Sequence, residues 1–101
     1  MSQHILEVVT FAAVAGTGEH EFLTAAETAS SALQSLPGFI RRRVAKAEDG
    51  RWLDVVEWAN ADSAAGAAKV FHTMPEAQPF CAMVDMASAK MTHYQVVVVS
   101  N

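Results

Sequence analysis

The stretch Pro37–Asn60, PGFIRRRVAKAEDGRWLDVVEWAN, constrains the fold more than any other part of the chain. An Asp49-Gly50 pair separates two segments with strand character, and such a pair favours a two-residue type I′ turn, which needs positive φ at both central positions. The segment reads as a β-hairpin with Glu48 opposite Arg51, Lys46 opposite Leu53, Val44 opposite Val55 and Arg42 opposite Glu57. Alternation then puts Ile40, Arg42, Val44, Lys46, Leu53, Val55 and Glu57 on one face, with Arg41, Arg43, Ala45, Ala47, Trp52, Asp54, Val56 and Trp58 on the other. In this register Arg42–Glu57 and the diagonal pair Arg43–Asp54 are cross-strand salt bridges, and Arg41 lies against the Trp58 ring. A one-residue slip in the turn would exchange the faces of one strand relative to the other.

The hairpin is flanked on both sides by a strand and a helix. HILEVVTFAAV, from His4 to Val14, is rich in β-branched residues and reads as a largely buried strand with Glu7 as the one formal charge in its middle. Ala15-Gly16-Thr17-Gly18 turns into a helix from about Glu19 to Leu36, with Glu19 and Glu21 near its positive end. Phe22, Ala26, Ala29, Leu33 and Leu36 lie along one side of that helix, opposite a polar side, and Pro37-Gly38 ends it. Asn60 can cap a second helix whose buried side is Ala64, Ala67, Ala68 and Phe71. Pro75 and Pro79 break it near Met74, and a short segment follows with Phe80, Met83 and Val84 on one side. THYQVVVVS, Thr92–Ser100, is the last strand; it pairs with the first and forms an apolar sheet edge that a partner chain or a helix must cover.

Composition narrows the functional classes. The chain has 101 residues, 51% of them hydrophobic and 18% charged, which implies one folded domain over residues 1–101 that covers apolar surface by association with a second copy. Its net charge of −4 gives no electrostatic reason to approach nucleic acid. A single cysteine, Cys81, allows no intramolecular disulfide. The start, MSQH, has no signal-peptide pattern, and no apolar run approaches a membrane span, so a cytoplasmic protein is expected. The four histidines have no metal-ligand spacing, and neither a phosphate loop nor a nucleophile elbow is present.

The order strand, helix, Pro-Gly-Phe, hairpin, helix, strand resembles the dimeric α+β barrel superfamily of ferredoxin-like proteins, and within it the antibiotic biosynthesis monooxygenase group. The carriers are ILEVVTF in the first strand, LPGFIRRR before and into the second, DVVEWAN leading into the second helix, and MPEAQPF after it. The resemblance implies a βαββαβ chain with a four-stranded antiparallel sheet and two helices on one face. It further implies a homodimer with sheets face to face, and a cavity between sheet and helices in each subunit. Haem-degrading relatives use an asparagine on the first strand and a tryptophan and a histidine on the second helix. That triad does not carry over, because the asparagines here are Asn60 and Asn101 and both tryptophans lie in the hairpin. Monooxygenases of the group often carry a histidine shortly before a proline like Pro75, close to the place of His72.

Cofactor-independent oxygenation, as the resemblance implies it, needs a dry cavity and a base or donor that stabilises a substrate anion. His72 is the candidate catalytic residue, since imidazole titrates near neutrality and follows Phe71 on the expected sheet-facing side. Glu7, Phe71, Met83, His93, Tyr94 and Trp58 are the candidate pocket residues. His93 and Tyr94 point to opposite faces of their strand, so one of them faces the cavity. Glu7, buried in an apolar strand, needs a partner or a proton; Arg42, Arg43 or His93 can supply it. The expected ligand is small and apolar or aromatic, with no cofactor and no metal. The alternative is a non-catalytic or stress-related homodimer of the same fold that binds a small ligand.

Overall fold

In the computed structural model, which describes residues 3–101, each predicted element forms, in the order strand, helix, hairpin, broken helix, strand. β1 spans Ile5–Phe11, α1 Glu19–Gln34, β2 Phe39–Lys46, β3 Trp52–Trp58, α2 Ala61–Val70, α3 Gln78–Met83 and β4 Lys90–Gln95. The four strands form one antiparallel sheet in the order β2-β3-β1-β4. This is the ferredoxin-like α+β architecture. Met1 and Ser2, the start of the segment read as leaderless, lie outside the described residues.

The local signals act as their chemistry dictates. α1 buries Phe22, Ala25, Ala26, Ala29, Ala32 and Leu33, a face slightly wider than the predicted one, and its last bond, from the Leu36 N–H to the Leu33 carbonyl, is made just before Pro37. The Asn60 side chain caps α2 by accepting the Ser63 N–H at 2.8 Å. Small residues on α2, chiefly Ala64 and Ala67, are the ones that reach the core. Beyond Val70 the backbone tightens into 3₁₀ turns at Phe71–Thr73 and Pro75–Ala77, and α3 then carries Phe80 inward. The break near Met74 falls where proline forbids a continuous helix.

The hairpin departs from the predicted register by one residue. Its loop is Glu48-Asp49-Gly50, with the Gly50 N–H donating to the Ala47 carbonyl at 2.9 Å and the Ala47 N–H to the Arg51 carbonyl at 2.8 Å. Only Gly50 takes positive φ, at 89°, while Asp49 accepts the Arg51 N–H at 2.9 Å. A three-residue loop of this type needs one left-handed residue and glycine supplies it, whereas the type I′ turn would have forced Asp49 there as well. Lys46 therefore pairs with Trp52, Val44 with Asp54, Arg42 with Val56 and Arg41 with Glu57. A bulge at Ile40 resets the phase, so Phe39 pairs with Trp58 and packs edge-on against its ring.

That slip corrects the predicted ion pairs. The buried partner of Arg42 is Asp54, not Glu57: Arg42 Nε donates to Asp54 Oδ1 at 3.0 Å and a terminal nitrogen to Oδ2 at 2.7 Å. The other terminal nitrogen donates to the Ala26 carbonyl and to Ser30 Oγ at 3.0 Å, which ties the hairpin to α1. Arg41 approaches Glu57 at 3.5 Å on the opposite face rather than Trp58. The cations that sit over aromatic rings are Arg42 on Phe80 and Lys46 on Trp52.

Two clusters fill the helix-covered face. Phe11, Phe22, Trp52 and Phe80 form one with the alanines of α1, while Leu33, Val56, Trp58, Ala64 and Ala67 form the other. The opposite face, with Leu6, Val8, Leu53 and Val55 at its centre, carries no helix. β4 is an edge strand as predicted, but it ends at Gln95 and not at Ser100. β1 begins at Ile5, so the pairing runs out; one further bond joins the Val96 N–H to the His4 carbonyl, and Val97, Val98 and Val99 are exposed.

The Arg42 side chain is 3% exposed and that of Asp54 11%. Removing the guanidinium leaves an uncompensated carboxylate inside the fold, so Arg42→Met should lower stability by about 3–5 kcal/mol, and adding Asp54→Leu should recover most of the loss. Urea denaturation of the single and double variants checks this.

Candidate functional site

A cavity of about 430 Å³ lies between the sheet and the α2–α3 segment. Its floor is the covered face of the sheet: Glu7, Val9 and Phe11 from β1, Asp54 and Val56 from β3, Met91 from β4. Its walls are Leu33, Ala67, Phe71, Phe80, Cys81, Val84 and Ala89. Ala68, His72, Met86 and Met91 are exposed and also line the space, so they mark its mouth. The alanines of α2 keep the helix from filling this volume, and the size suits a small organic ligand.

Four ionisable side chains reach the cavity: Glu7, Asp54, His72 and Cys81. Asp54 is neutralised, with both oxygens committed to Arg42. Glu7 lies opposite His93 in the β1–β4 ladder, and His93 Nε2 stands 3.1 Å from Glu7 Oε2. Of the three partners the sequence allowed for Glu7, His93 is the one in place. His72 sits in the 3₁₀ turn after α2, where its carbonyl accepts the Gln78 side-chain N–H at 2.5 Å and its residue is exposed. Burial pushes the Cys81 thiol above its ordinary value, and the nearby Arg42 guanidinium offsets part of that.

The sequence-derived candidates thus separate. Glu7, Phe71 and His72 line one cavity. His93 does not line it but holds Glu7 from the edge strand, with 43% of its side chain exposed. Tyr94 is corrected: it follows His93 by one residue, so alternation places it on the uncovered face, opposite Leu6. Trp58 is sealed in the second cluster at 0% exposure, its Nε1 without a hydrogen-bond partner among the described residues. Met83 packs behind the lining, against the first cluster. Val9 and Phe11 were missed, although the same alternation that sets Glu7 would have found them. Asp54 was missed because the shifted register paired it on paper with Arg43.

Among the described residues no group of three or more histidine, cysteine or acidic side chains is arranged to hold a metal ion. No helix there is long and apolar enough to cross a membrane.

Fold and cavity together define a ferredoxin-like protein with a largely apolar cavity between its sheet and helices. No family model and no curated protein matches the chain. Solved structures do match, over nearly its whole length. A variant of SnoaB, a cofactor-independent oxygenase from Streptomyces nogalater, superposes with a TM-score of 0.77 at 15% identity, covering 97% of each chain. A protein from Bordetella bronchiseptica, provisionally described as an antibiotic biosynthesis monooxygenase, gives 0.72 at 18% identity, covering 96% of this chain and 100% of its own. A similarly described protein from Nitrosomonas europaea gives 0.73 at 12% identity over 100% and 97%. The chain therefore has the fold of the antibiotic biosynthesis monooxygenase-like proteins, as its sequence pattern implied.

Because the thiolate is the reactive form of cysteine, a raised thiol slows alkylation at neutral pH. Cys81 should react with iodoacetamide more slowly than a free cysteine, and its rate should go on rising with pH after that of the free thiol has levelled off. A series of labelling rates followed by mass spectrometry checks both parts.

Proposed function

We propose that the chain is a homodimeric, cofactor-independent monooxygenase acting on a small aromatic or enolisable substrate within this cavity. The observation that carries the reading is the lining: about 430 Å³ of predominantly apolar wall, one neutralised acid, and uncommitted polar groups at only a few points. Such a site favours an aromatic skeleton, excludes water around it and leaves a small number of groups to handle a proton. The likeness in fold to SnoaB supports the reaction class. His72, at the mouth, is the proposed base or anion stabiliser, placed to exchange its proton with solvent.

A second reading, a non-catalytic binder of a small ligand, is favoured by the exposure of His72, whose imidazole makes no hydrogen bond among the described residues. The two readings differ in oxygen use. An oxygen electrode with a panel of quinols and anthrones should record uptake that His72→Ala reduces by about 10²-fold or more. Unchanged uptake in the variant removes His72 from the mechanism, and absence of uptake across the panel favours the binder.

A second copy suits the uncovered face of the sheet, where Leu6, Val8, Leu53 and Val55 are only partly buried. Burying such a face removes apolar surface from water, worth roughly 25 cal/mol per Å². Sedimentation equilibrium should therefore return twice the chain mass; a single-chain mass would leave the face unexplained.

A further inference from the structure

The two buried acids of the cavity are not equivalent. Both oxygens of Asp54 are taken by Arg42, and Arg42 in turn spends its remaining nitrogen on α1. Glu7 is bonded at Oε2 by His93 Nε2 alone, and Oε1 has no partner among the described residues. The Glu7 side chain is 12% exposed and lines the cavity floor beside Val9 and Met91, with Phe71 among the walls. An ionised carboxylate accepts through both oxygens, and Oε1 is not sealed from solvent, so an apolar group that covered it would leave it without a donor, at a cost. Whatever fills the cavity must leave that oxygen solvated or bring a donor to it.

We propose that Glu7, positioned by His93, is the anchor that selects hydroxylated aromatics, by accepting the O–H of the bound ligand. The inference rests on the oxygenase reading for its choice of an aromatic skeleton, and it adds a specificity-determining residue distinct from His72. A hydroxyl fits better than an ammonium. It brings one donor to one open oxygen, while an ammonium brings three and would leave the others facing Val9 and Met91. His93 is a positioning residue: as the direct ladder partner of Glu7, it holds one carboxylate oxygen and leaves the other free to accept from a ligand.

The test is binding of β-naphthol, its methyl ether and naphthylmethylamine to the full chain, followed by fluorescence titration. The naphthol should bind about tenfold more tightly than the ether, as expected for a hydrogen bond to a charged acceptor. Glu7→Leu should erase that preference while ether affinity stays within about threefold, which also verifies an intact cavity. His93→Ala should reduce the preference and His93→Gln, which keeps a donor, should restore part of it; loss of packing alone would weaken naphthol and ether equally. Naphthol and ether bound equally by the native chain, the amine bound most tightly, no binding of any probe, or a preference that survives Glu7→Leu would each overturn the inference. A Glu7-dependent preference in a protein that consumes no oxygen would uphold it and remove the oxygenase reading instead.

Discussion

The bidentate contact between Arg42 and Asp54 is the interaction on which the arrangement of this molecule depends. It joins adjacent strands, and through the Ala26 carbonyl and Ser30 the same guanidinium reaches α1. One side chain thus fixes the hairpin against the helix that covers it. It also cancels the charge of an acid that lines the cavity, so the space beside Asp54 behaves as apolar although a carboxylate borders it. Arg42 further lies over the Phe80 ring, which holds α3 to the same point. Buried ion pairs contribute little net stability over an apolar replacement, but breaking one is severe, so the pair acts as a constraint on register.

From that constraint the site follows in layers. The helix face of the sheet is set by Trp52, Asp54, Val56 and Trp58, all buried on β3. Large rings fill its two ends, with Phe11, Phe22 and Phe80 clustered at one and Trp58 at the other. Between them α2 offers alanine, and the proline-broken segment packs against α1 through Ala77, which leaves Phe71, Phe80 and Cys81 as cavity wall. The cavity is what remains, with Glu7 on its floor and His72 at its mouth.

Much of this was legible in the sequence because it rests on local chemistry. The buried stripe of α1, the Asn60 cap, the break at Pro75 and the edge position of β4 each follow from one or two residues and a period. The pairing of the hairpin was not, since Asp49-Gly50 serves both a two-residue and a three-residue loop, and one residue of difference exchanges the faces of β2. Arg42 and Arg43 changed sides with it. The exposed valines gave a strand signal that composition could not distinguish from a strand with a neighbour; the pairing stops where β1 begins. Within the site, Glu7, Phe71 and His72 were reachable from pattern, while Trp58 and Met83 lie in the packing around the cavity. The bond between His93 and Glu7 needed the β1–β4 register, which places them opposite one another.

Oxygenation by the chain's own residues within this apolar cavity is the reaction proposed. Isotopically labelled dioxygen tests it most directly: protein treated with chelator and shown to be free of flavin is incubated with an anthrone or quinol, and the product is weighed by mass spectrometry. One labelled oxygen atom per product molecule, dependent on the folded protein, is the expected result. Label drawn from water, or a product that forms at the same rate without protein, would contradict it.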